Sequence, residues 1–240
     1  MKIIEKIRAK NENNFGAPPA TLVFLGDSVT HGCFECYTNE NGKVDTFFDA
    51  KSSYSSRLYE MLHVLYPSAQ INIINSGISG DSARGGLARF ERDVSPFSPD
   101  LVVVSYGLND VCGGLGKLDE YKSNLSAIFD KVASLDAECI FLTENSMCKK
   151  VSCHLDDENL RKFAQRLAPL QDDGTLKAYF DAAKDVAASH GSKVCDVYSA
   201  WEKMAAAGVD TTELLANKLN HPIEKLHYYT AVKLIETMFD

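Results

Sequence analysis

No apolar run in this 240-residue chain approaches the roughly 20 residues needed to span a bilayer. The opening stretch, MKIIEKIRAKNENN, also lacks the continuous apolar core of a secretory signal. These two absences exclude a membrane span and predict a cytoplasmic protein. Basic charge is short as well. Twenty-five Lys and Arg face 33 Asp and Glu, for a net charge of -8 and a pI near 5.3. Such a surface repels nucleic-acid phosphates unless a basic patch gathers somewhere. Arg84, Arg89 and Arg92 share one helical stretch, but Glu91 and Asp93 interleave with them, which reads as a solvated face rather than a nucleic-acid site.

A zinc pattern is missing. Cys33 and Cys36 form one C-x-x-C pair with no second pair and no histidines at ligand spacing. Seven cysteines are an odd number in a domain of this size, which fits reduced thiols better than a disulfide framework. No Gly-x-Ser-x-Gly elbow occurs, which removes the α/β-hydrolase arrangement of a serine nucleophile. Repeats, low-complexity tracts and linkers are absent too. Residues 1–240 therefore read as one domain, since single cores grow to about 250 residues before splitting.

What is present alternates. Apolar, β-branched runs at Thr21–Leu25, Ile71–Asn75, Leu101–Ser105, Cys139–Thr143 and Lys193–Val197 read as buried strands. Between them apolar residues recur at three- and four-residue steps, as in Leu58, Met61, Leu62 and Leu65, or Tyr121, Leu125, Ile128, Phe129 and Val132. A last helix is expected from about Ile223 to Met238. Strands alternating with helices imply right-handed parallel crossovers, and so a flavodoxin-like three-layer α/β/α sandwich around a five-stranded parallel sheet. Two connections are long: the polar stretch Cys33–Ser53, and the charged stretch Asn145–Gly174 with a helical pattern at Leu160–Leu167. Both leave the sheet at the end where ligands bind.

The reactive residues fall after strands. The first strand runs into Gly26-Asp27-Ser28, which puts a hydroxyl at a strand-to-loop turn; such a serine needs an imidazole to take its proton. After the second strand, Gly80 offers an unhindered N–H before a helix expected to be capped by Asp81. After the third, Gly107-Leu108-Asn109-Asp110 brings a side-chain amide to the same end. With the Ser28 N–H these would form a three-donor oxyanion hole. Asp27 is expected to bond within its own turn. His31 lies too close in sequence to serve Ser28 as base. Trp201, Phe47, Phe48 and Tyr54 are read either as an acyl pocket or as core.

Taken in order, Gly26-Asp27-Ser28, Asn75 through Gly80, Gly107-x-Asn109-Asp110 and the C-terminal Asn220-His221-Pro222 resemble the signature blocks of the SGNH or GDSL-type serine ester hydrolases. The resemblance covers Thr21 to about Met238. It implies Ser28 as nucleophile, Gly80 and Asn109 as oxyanion donors, His221 as base, a small-molecule ester as substrate and no cofactor or metal. The Asn-His-Pro form of the last block is similar to members that deacetylate carbohydrates. The aspartate usual three residues before the histidine is replaced here by Lys218. Three arrangements follow: a dyad with a backbone carbonyl orienting His221, an acid supplied by Glu213 or Asp210, or use of Glu224 and His227, which repeat the acid-x-x-His spacing. Lys218 also motivates an alternative, a catalytically impaired ligand-binding domain. Gly77 through Asp81 motivate another, a flavodoxin-like nucleotide-binding protein, against which stand the acidic Asp81 and the lack of a lysine. No pattern in the chain encodes an oligomeric state.

Overall fold

The computed structural model describes residues 1–240. In chain order the elements are α1 (Lys2–Glu12), β1 (Ala20–Gly26), α2 (Ser28–His31), β2 (Cys33–Thr38), β3 (Val44–Phe48), α3 (Tyr54–Leu65), β4 (Ile71–Gly77), α4 (Ala83–Asp93), β5 (Leu101–Ser105), α5 (Leu118–Ser134), β6 (Glu138–Thr143), α6 (Glu158–Asp172), α7 (Thr175–Ser189), β7 (Lys193–Asp196), α8 (Val197–Ala206) and α9 (Glu224–Phe239). Five strands form one sheet in the order β4-β1-β5-β6-β7, and every neighbouring pair is parallel. This matches the expected fold class. β1 and β5 are buried along nearly their whole length, as central strands covered on both faces must be.

One apolar cluster of 51 buried residues draws on this sheet and the helices flanking it. β1 pairs with β4 on one side and β5 on the other, so the chain order reverses about β1. Ligand crevices of open parallel sheets lie at such a reversal, beyond the carboxyl ends of the strands.

Three expectations need correction. Cys33–Ser53 is not simply a polar loop: β2 and β3 form an antiparallel hairpin within it. Asn39 closes its turn, accepting from the N–H groups of Asn41 and Lys43 at 3.0 and 3.1 Å. Asp81 is not the cap of α4. The helix starts two residues later and is capped by Ser82, whose hydroxyl accepts from Gly85 N–H. Nor is Arg89 part of a solvated face. Its side chain is only 9% exposed and binds Asp81, Asp93, Tyr106 and the carbonyls of Gly26 and Ser76. Phe90 and Val94 beside it are buried too, so of the three arginines Arg89 is the one that lies on the covered side of the helix.

Candidate active site

Ser28 is the first residue of α2 and follows β1 by a single residue, Asp27, whose carboxylate caps the turn by accepting from Val29 N–H at 2.9 Å. The turn is held from above and below. Gly26 O accepts from Ile78 N–H, and Asn75 Nδ2 donates to Thr30 O at 2.8 Å. Gly77 must stay a glycine here, because a Cβ would fall 2.3 Å from His31 N.

His221 arrives from the far end of the chain, 193 residues away, on the loop before α9. Asn217 organises that loop. Its Oδ1 accepts from the N–H groups of Leu219, Asn220 and His221 at 2.9–3.0 Å. A bridge between Leu215 and Pro222 closes the loop, and Asn145 Nδ2, beyond β6, donates to Asn220 O at 2.8 Å. The outcome is a 3.0 Å contact between His221 Nε2 and Ser28 Oγ, with both residues under 5% exposed.

The other ring nitrogen decides among the three arrangements left open by Lys218. His221 Nδ1 lies 2.9 Å from Phe34 O, so its hydrogen goes to a backbone carbonyl of β2. That fixes the tautomer and leaves the Nε2 lone pair facing the serine hydroxyl. Glu213 is engaged elsewhere, by Ser152 Oγ and the Lys218 ammonium, and Asp210 pairs with Lys150. Neither carboxylate orients His221. The Glu224 and His227 alternative also falls. Glu224 binds Arg57, and the fully buried His227 uses Nδ1 to accept from Tyr54 N–H at 3.1 Å. Burial pushes the His221 imidazole down to about 4, with the Phe34 carbonyl working weakly the other way, so the ring is neutral at pH 7.

Gly80 sits at φ +77°, a left-handed conformation suited to glycine, and its N–H has no acceptor within the protein. Asn109 stands differently from expectation. Its amide nitrogen donates to Asp27 Oδ2 at 2.9 Å and to Asp81 O at 2.8 Å, so both hydrogens are engaged. Asp27 therefore reaches beyond its own turn. The aromatics divide: Trp201 and Tyr54 are core, whereas Phe47 and Phe48 are exposed on the hairpin, Phe48 with its ring 4.7 Å from that of His31. His31 itself accepts from Ser79 N–H and makes no bond to Ser28.

Sequence reasoning missed Phe34, Asn217 and Glu144. The first acts through its backbone and has no side-chain signature. The other two are ordinary polar residues in connections, although Glu144 directly follows β6, at the ligand-binding end of the sheet.

A serine hydroxyl and a neutral imidazole thus stand 3.0 Å apart beyond the carboxyl ends of a parallel sheet, with the Gly80 N–H unengaged on the loop that follows β4. Residues 24–227 match the model of the GDSL-like Lipase/Acylhydrolase family. The chain belongs to that family. It is 30% identical, over 131 residues, to an acetylxylan esterase of Geobacillus stearothermophilus, a match spanning 51% of this chain and 58% of that enzyme. Among solved structures, it resembles LAE5, a hydrolase from the metagenome of Lake Arreo, Spain (TM-score 0.66, 23% identity, 92% of this chain and 95% of that one). It also resembles a two-domain esterase active on acetylated mannans (TM-score 0.68, 17% identity, 99% of this chain and 52% of that one). No helix is long and apolar enough to cross a membrane.

Proposed function

We propose that the protein cleaves short-chain acyl esters, with acetylated carbohydrate as the substrate class, through an acyl-enzyme on Ser28. The observation that carries this reading is the Ser28–His221–Phe34 relay. His221 Nε2 takes the hydroxyl proton as Ser28 Oγ attacks the ester carbonyl. The same proton passes to the leaving alcohol as the C–O bond breaks. Water, deprotonated in turn by His221, then releases the acid and restores Ser28. The N–H groups of Ser28 and Gly80 receive the oxyanion. Asn109 joins them as third donor by sharing the hydrogen now directed at Asp81 O, while its other hydrogen stays on Asp27.

Two features support a polar, sugar-like alcohol. A cleft of about 330 Å³ beside the His221 loop, to which Ser28 and His221 themselves contribute no wall, is lined by Phe34, Phe47, Ala216 and Ile223 together with Glu35, Asp49, Lys218 and Glu224, and suits the part of the alcohol farther from the ester. Such a mix of aromatic and charged side chains suits a hydroxylated ring better than an acyl chain. The acetylxylan esterase among the relatives points the same way. A panel of p-nitrophenyl acetate, longer p-nitrophenyl esters and acetylated xylose is the test. Acetyl esters should turn over fastest, with acetylated xylose hydrolysed and activity lost in Ser28→Ala. Preference for long acyl chains would refute the substrate class, and unchanged activity in Ser28→Ala would refute the mechanism.

A further inference from the structure

Beneath the Ser28 turn lies a group that the relay does not use. Glu144, the first residue after β6, is fully buried, and it shares one turn with Asp27: Leu108 N–H binds Glu144 while the amide of the next residue, Asn109, binds Asp27. Glu144 Oε2 accepts from Leu108 N–H at 3.0 Å, whereas Oε1 has no donor anywhere in the protein. Asp27 already accepts from Val29 N–H on one oxygen and from Asn109 Nδ2 on the other. Two carboxyl groups thus meet in a closed space, and one oxygen of the pair lacks a hydrogen.

No cation fills that gap. Arg89, the guanidinium of this region, spends its donors on Asp81, Asp93, Tyr106 and two backbone carbonyls. The remaining groups facing the pair are the carboxyls of Asp81 and Asp110, the Cys33 thiol and the phenols of Tyr54, Tyr106 and Tyr121, none of which supplies positive charge. Two like charges in contact and out of water cannot both persist. Burial and the Asp27 charge together push Glu144 well above the ordinary carboxylate range, which agrees with the geometry.

We propose that Glu144 is a neutral carboxylic acid that donates a hydrogen bond to Asp27, and that this one-proton pair is the positioning device that aims Asn109 and the Ser28 turn at the oxyanion. Asp27 links the two parts. Its backbone leads directly into Ser28, and its carboxylate holds one hydrogen of the Asn109 amide. With the shared proton in place Asp27 stays put. When the proton leaves, the two carboxylates repel, Asp27 shifts, and the amide loses its direction. The catalytic half of this inference rests on the ester-hydrolase mechanism proposed above; the protonation half does not.

Glu144→Gln tests it, since an amide can accept from Leu108 N–H and donate to Asp27 as the neutral acid does. This variant should keep kcat within about twofold and lose the fall in kcat with rising pH that is expected of the wild type. Glu144→Ala, with neither bond, should drop kcat on the order of tenfold or more while KM changes little, because misaimed groups cost rate rather than binding. Infrared difference spectra of the folded wild type at neutral pH should show a carboxylic-acid C=O band that weakens in Glu144→Gln. The proposal is overturned if Glu144→Gln is as impaired as Glu144→Ala, if Glu144→Ala keeps full kcat, or if that band is unchanged by the substitution. A wild type without esterase activity would sink the mechanism instead, and the infrared measurement would still decide the proton.

Discussion

At the scale of single residues, the unusual feature is a histidine oriented by a carbonyl. A carboxylate next to the ring would stabilise imidazolium by full charge, whereas the Phe34 carbonyl offers only a dipole, so burial dominates and holds His221 at about 4. A general base works only when unprotonated. The acid limb of kcat/KM should therefore lie near pH 4, well below the ordinary range of a histidine, and a pH-rate profile reads it directly. Cys36 offers a way to move it. Its sulfur lies 4.0 Å from His221 Nδ1 and accepts from Asn217 Nδ2 at 3.5 Å. Cys36→Asp places a negative charge beside the ring, with an amide already there to bind it, and should shift the limb upward. An unmoved limb would mean that the ring does not sense that position. The sequence order of Ser28 after a strand and His221 in the last block was enough to expect the pair that the structure brings to 3.0 Å, whereas Asn109 was expected free and is engaged. The partner of Nδ1 was not legible, because any residue type can present a carbonyl.

At the scale of elements, the strands were legible nearly to the residue, because buried parallel strands are continuous apolar runs bounded by polar turns. Leu101–Ser105 coincides with β5, and the others differ by a residue or two at their ends. The hairpin of β2 and β3 escaped notice. Its faces carry exposed Tyr37, Val44, Phe47 and Phe48, so no inside–outside alternation marks it as a strand pair. The loop bearing His221 was legible only as a motif. Its shape depends on one carboxamide oxygen serving three N–H groups. Asn217→Ala leaves those donors buried and unpaired, at a cost of about 1–3 kcal/mol each where water cannot replace the bond. Lowered thermal stability and a reduced kcat with little change in KM are the expected outcome, read by calorimetry and initial rates.

At the scale of the whole molecule, the buried titratable groups divide by sign. His221 and His227 stay neutral in the folded state down to about 4 and about 3, so they favour unfolding only below the unfolded histidine value near 6.5. Above pH 7 they no longer matter. Burial, and nearby carboxylates with it, lift Asp110 to about 7 and hold Glu144 well above the ordinary carboxylate range, so below these raised values the folded protein holds protons that the unfolded chain has released. A raised folded value contributes stability at low pH that is lost as pH rises through it, about 1.4 kcal/mol per pH unit for each such proton. From the ordinary carboxylate range up to these raised values, rising pH should cost the wild type more melting temperature than it costs Glu144→Gln. Parallel pH profiles in the two proteins would contradict the buried-acid assignment.

The centre as a whole is tested most directly by a fluorophosphonate probe followed by intact-mass and peptide analysis. One adduct per chain on Ser28, absent in Ser28→Ala and greatly slowed in His221→Ala, is the result that the Ser28–His221 relay requires. No labelling of the folded wild type, or an adduct on another residue that survives Ser28→Ala, would contradict it.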